Sequence, residues 1–185
     1  MNVISKIRPP GGYEWLLPED ERDFGWLHSL DGSPRREQWR APKVKVLATD
    51  DAGRLRKQAD LPWVGSEALV LRPRAVRALG EVLLQYGELL PLDSGDEEPL
   101  VLFNILTVVD ALDEARSDIV RFRDGRIMDI RGWHLREAAI AGLEVFRVNQ
   151  WSSILYSEQF KRRVEDAGLT GLGGRIIWPR PDGPT

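Results

Sequence analysis

The chain has 185 residues, 42% of them hydrophobic and 30% charged, with a formal net charge of −3. That is enough apolar material for one sizeable core, and the charge balance argues against a disordered chain or one that wholly coats nucleic acid. The absence of cysteine rules out disulfide staples, thiolate metal sites and a cysteine nucleophile, and it suits a reducing compartment.

The opening MNVISKIRPPGG has no long apolar stretch, and no run nears the roughly 20 residues of a membrane span. The expectation is a soluble cytoplasmic protein. The first 60 residues are weakly periodic and rich in Pro, Gly and aromatic residues. Tyr13, Trp15, Phe24, Trp26 and Trp39 all call for burial. Val44 to Leu47 is the clearest strand there, in a segment too poor in aliphatics to fold alone.

Ala68 to Leu71 reads as a short strand, after which Pro73 opens a helix at its first position. Val76, Leu79, Leu83 and Tyr86 recur at helical spacing, with Gly87 as the expected left-handed stop. Leu100 to Val109 is almost continuously apolar, the pattern of a central strand buried on both faces. Asp124-Gly125 then marks a hairpin. A three-residue loop with Gly125 as a bulge gathers Val120, Phe122, Met128 and Ile130 on one face, which predicts that these four point to the core.

Leu143 to Val148 and Ser153 to Tyr156 read as further strands. Ser157 is suited to N-cap a helix with Phe160, Val164 and Ala167 inward and Gly168 as its stop. Arg175 to Trp178 is the final strand. The expectation is an α+β fold, mainly antiparallel sheet with a few short helices packed on it. It is expected to form one domain over residues 1–179, with 1–58 an irregular aromatic-rich part packed on the core and 180–185 a flexible tail.

Chemistry is sparse. His28 and His134 have no ligand or nucleophile at a motif's spacing, which leaves packing or surface roles. Asp110, Asp113 and Glu114 lack the ligand alternation of a calcium loop, and they suit the start of a helix after the apolar strand. Four glycines between Gly168 and Gly174 do not make a phosphate loop, because Arg175 is followed by Ile176 rather than Ser or Thr. No catalytic residue, cofactor or metal is expected.

Charge is segregated. Arg35 to Arg77 carries 11 Lys/Arg against 5 Asp/Glu, and Glu81 to Asp118 carries 10 acids against the single Arg116. The Arg35, Arg36, Arg40, Lys43 and Lys45 cluster around Trp39 could touch nucleic acid, but the acidic half and a pI near 5.5 oppose it.

Four segments carry a family resemblance: ADLPWVG from Ala59, GELLPLD from Gly87, LFNILTVVDALDEARSDIVRF from Leu102 and GLTGLGGRIIWP from Gly168. In this order the chain from Ala59 to Pro179 resembles the eleventh immunity-protein family of bacterial polymorphic toxin systems. That family was formerly described as a domain of unknown function and is widespread in myxobacteria and other Gram-negative bacteria. The chain departs from the family's closing pattern, which favours an aromatic after the last glycines where Arg175 stands here.

The resemblance implies a non-enzymatic protein that binds and neutralises a cognate toxin domain, with no cofactor and no catalytic residues; the lack of a long apolar run adds the expectation of no membrane partner. The acids expected to meet that partner are Asp93, Asp96, Glu97, Glu98, Asp110, Asp113 and Glu114. Two alternatives stand beside it: a small enzyme using Asp110, Asp113, Glu114 and Asp118, and a nucleic-acid-linked regulator using the basic 35–77 stretch.

Overall fold

The computed structural model describes residues 3–95 and 98–179, without the side chains of Trp26 and His28. In chain order the elements are β1 (Ile4–Ile7), β2 (Trp15–Pro18), α1 (Glu21–His28), a 3₁₀ turn (Arg36–Gln38), β3 (Val44–Leu47), β4 (Leu69–Leu71) and α2 (Pro73–Leu83). There follow β5 (Gly87–Leu92), β6 (Leu100–Ile105), β7 (Val108–Val109), β8 (Asp118–Arg121), β9 (Ile127–Gly132), α3 (Glu137–Ile140), β10 (Val145–Val148), β11 (Trp151–Ser157), α4 (Glu158–Asp166) and β12 (Gly174–Trp178). The fold is α+β with mainly antiparallel sheets, as the strand and helix patterns predict.

Two sheets organise the core. The larger has the order β12-β1-β11-β10-β7, and the smaller is β4-β6-β5. Among the described strand pairs only β7 with β10 is parallel. Alternation along the strands of the larger sheet splits its side chains cleanly. Val145, Ile154 and Tyr156 enter a core shared with Leu79 and Leu83 of α2 and Phe160 and Val164 of α4. Phe146, Val148 and Leu155 join Ile130, Trp133 and Ile140 on the opposite face.

The smaller sheet is likewise covered twice. Leu71 and Phe103 face the helices. Val70, Leu90 and Leu102 face Leu16, Leu27, Leu30 and Val44 from the first 47 residues. The aromatic-rich segment is therefore a cover for one sheet, and it also supplies the interior strand β1 to the other. Its aromatic residues are less buried than expected: Phe24 remains 42% exposed, while Trp15 lies under the Arg56 guanidinium and Trp39 donates its indole N–H to the Pro91 carbonyl.

Local signals explain several boundaries. Pro73 sits in the first turn of α2, where a missing N–H breaks no bond. The Ser157 hydroxyl accepts from the Phe160 N–H at 3.3 Å and caps α4. Gly168, at φ 62°, ends that helix.

Four further expectations fail. Gly87 is no left-handed stop; it begins β5, where an added Cβ would strike the Asn104 carbonyl of β6. The apolar run 100–109 is two strands in different sheets, divided where the Tyr86 carbonyl accepts the N–H groups of both Leu106 and Thr107.

The hairpin does turn through a three-residue loop: Phe122 N–H donates to Arg126 O, and Gly125 has φ 86°. Its face is nevertheless wrong. Register shifts skip Met128 and Arg131, so Ile119, Ile127 and Ile130 turn inward, leaving Phe122 48% and Met128 55% exposed. Finally, residues 113–116 form a turn rather than a helix. The tail 180–185 lies outside the described residues.

Candidate partner-binding surface

The β5–β6 connection carries the first group of acids. Its root is rigid: the Val44 N–H donates to Asp93 O at 2.8 Å, and the Asp93 N–H donates to Pro42 O at 3.0 Å. The Asp93 carboxylate accepts from the Gly95 N–H, and the Ser94 hydroxyl donates to the Glu98 carbonyl. Glu98 lies 3.3 Å from Arg72, which is itself held by the buried Glu14 at 2.7 Å. Asp96 and Glu97 lie outside the described residues.

The second group follows β7, beyond the other end of β6 and thus roughly 20 Å of strand from the first. Asp110 pairs with Arg136 at 2.6 Å and Glu114 pairs with Arg121. Gln150 Nε2 joins them by donating to Asp110 Oδ1 at 3.5 Å and Glu114 Oε1 at 3.2 Å. Asp113 receives the Arg116 N–H and serves the turn. Two arginines thus interleave with acids that look unopposed in sequence, so the fold brings Asp110 and Glu114 together but not as a bare acidic face. Among the described residues no group of three His, Asp or Glu side chains is placed to hold a metal ion. His134 packs edge-on against Trp178 with ring centroids 4.4 Å apart.

The basic cluster is similarly neutralised from within. The Arg35 guanidinium lies 3.2 Å from Asp31, Arg36 4.0 Å from Glu88, Arg40 3.9 Å from Asp23 and Lys43 3.1 Å from Glu19. Exposed ion pairs of this kind stabilise little, but they remove the unbalanced positive field that a nucleic-acid surface needs.

One feature has no signature in the sequence. Lys6, Arg8, Arg131 and Arg175 line a cleft of about 240 Å³ with Asp129 as its sole acid, floored by residues that include Trp133 and Ile177. These cations come from β1 and its end, β9 and β12, and only strand pairing unites them. Their separation along the chain hides the cluster from any local count of charge.

Compared with known families, the chain is similar to the Immunity protein family (Imm11) over residues 91–175. The matched span begins inside β5 and ends in β12, taking in both acidic groups and β6 to β11. It supports an immunity-protein assignment at the level of the family. No curated protein matches the chain. Among the described residues no helix is long and apolar enough to cross a membrane.

Proposed function

We propose that this chain is an immunity protein that neutralises a cognate antibacterial toxin by direct protein–protein contact in the cytoplasm. The observation that carries the reading is the family match over residues 91–175. The site chemistry agrees with it: the acids between Asp110 and Glu114 are engaged with arginines, an arrangement suited to a contact surface rather than to proton transfer. Residues 1–179 act as one domain in this reading, since β1 lies inside the main sheet and the segment up to β3 covers the smaller one.

The β5–β6 loop, with Asp93, Asp96, Glu97 and Glu98, is the acidic element offered to a basic toxin surface, and Asp110, Asp113 and Glu114 form a secondary one. A loop on a rigid hairpin is well suited to reading a partner, and acids speed association with a basic cleft. The test is co-expression with any toxin domain found encoded beside this gene. The chain should restore growth and co-purify with the toxin; continued killing with no recoverable complex would overturn the reading.

A further inference from the structure

The cations of the cleft are arranged at a cost. Lys6 and Arg175 are direct cross-strand partners on β1 and β12, and Arg8 follows on the same side of the chain two residues on. Like charges placed opposite one another destabilise a sheet. The Lys6 ammonium is half-buried 5.0 Å over the Trp151 ring. Burial foremost, then the Arg8 and Arg175 charges, hold its pKa below the ordinary lysine range against the pull of Asp129. Asp129 also accepts from the Ile130 N–H. Among the described residues none of the four cations forms an ion pair with a carboxylate, whereas the Arg35–Lys43 cluster is matched by Glu88, Asp23 and Glu19. A concave set of four cations facing one carboxylate, none of them paired with it, carries a net positive charge complementary to an anion from outside.

The nature of that anion follows from the surroundings. The chain's net charge of −3 opposes a long, densely charged polyanion at a distance, while a short run of carboxylates inside the cleft feels the local cations within a Debye length of about 8 Å. The cleft opens beside β12, an edge strand that among the described residues has β1 on one side and no strand on the other. Exposed Ile176 adds an apolar contact on that edge. A free strand edge receives extended peptide through main-chain hydrogen bonds, with side chains read by adjacent pockets.

We infer that the cleft formed by Lys6, Arg8, Arg131 and Arg175 receives an extended acidic segment of a protein partner, the toxin itself on the reading above. It rests on that reading only for the identity of the partner. Recognition is then two-signed: acids of the β5–β6 loop meet basic toxin surface, and the β1–β12 cleft takes toxin carboxylates.

The test is a fluorescence-anisotropy titration of the full chain with a fluorescein-labelled hexaglutamate peptide, alongside inorganic phosphate as competitor and a labelled single-stranded DNA octamer. The peptide should bind saturably and weaken with salt. The Arg131→Glu/Arg175→Glu variant should bind it about tenfold more weakly, while Lys45→Glu/Arg77→Glu, altered at exposed positions elsewhere, should match wild type. Both cleft positions are exposed, so the variant should melt no lower than wild type, and relief of the Lys6–Arg175 repulsion should raise its Tm by a few degrees.

Absence of saturable peptide binding, equal affinity in the cleft variant, or tighter binding of phosphate or DNA would each overturn the inference. Pull-down of the toxin separates the two readings. Failure of wild type to capture it refutes the immunity function, whereas equal capture by wild type and cleft variant refutes only the role of the cleft.

Discussion

Arg147 in β10 is 2% exposed, and its guanidinium donates to the carbonyls of Leu30 and Glu67. It therefore fastens the N-terminal cover and the connection before β4 to the main sheet. Burial lowers its pKa well below the ordinary arginine range, to about 10, a net cost of about 3 kcal/mol at about 1.4 kcal/mol per unit. Its Nε finds no acceptor. Arg147→Met keeps much of the volume, removes that cost and strands two carbonyls, each at about 1–3 kcal/mol. Set against a loss of about 2–6 kcal/mol, the relief leaves a net destabilisation of at most about 3 kcal/mol. Arg147→Ala adds an unfilled cavity and should cost about 2 kcal/mol more.

Urea unfolding at neutral pH measures both variants, and hydrogen exchange should show faster opening around residues 29–33 and 66–68 than in α2. An Arg147→Met variant as stable as wild type, with exchange unchanged at both segments, would refute the idea that this side chain clamps them.

Three further outcomes are expected. Phe103→Ala should cost about 3–5 kcal/mol, because Phe103 is fully buried, whereas Phe122→Ala should stay within about 0.5 kcal/mol; equal losses in urea titrations would contradict the hairpin face described above. Burial raises the Tyr156 phenol from 10.0 to about 12. The folded state holds that proton longer than the unfolded chain, so its stabilisation is complete below pH 10 and falls by about 3 kcal/mol by pH 12. Arg147 acts with opposite sign above about pH 10, so the comparison to make is alkaline unfolding of Tyr156→Phe with wild type, where the variant should lose less stability. Neutralising Asp96, Glu97 and Glu98 together should slow toxin association and flatten its salt dependence in stopped-flow measurements; a wild-type rate at low salt would remove the loop from the interface.

Sequence legibility followed the range of the interactions involved. Pro73, Ser157 and Gly168 act on their own turn, and the boundaries they mark are found where expected. The strand β1 was invisible: its four residues, ISKI, become a strand because β11 and β12 hydrogen-bond them on either side. The run 100–109 appears continuous because both halves are apolar, and its division depends on the distant Tyr86 carbonyl. Met128 and Arg131 each break the two-residue period of the hairpin, so a correct loop led to an incorrect face. The acids were legible as a block, but Arg136, Arg121 and Arg72 that answer them come from elsewhere in the chain.

The position of β1 between β11 and β12 has a consequence for how the protein is made. A ribosome adding about 5–20 residues per second completes β12 roughly ten to thirty seconds after β1 has been synthesised. During that interval Ile4 and Ile7 have no sheet to enter, although in the finished fold both are almost wholly buried. Closure of the main sheet is thus a late event in which an early segment is threaded between two of the last to appear. Such non-local pairing folds slowly, and a nascent chain that stalls before β12 leaves one side of β1 without its hydrogen-bonding partner.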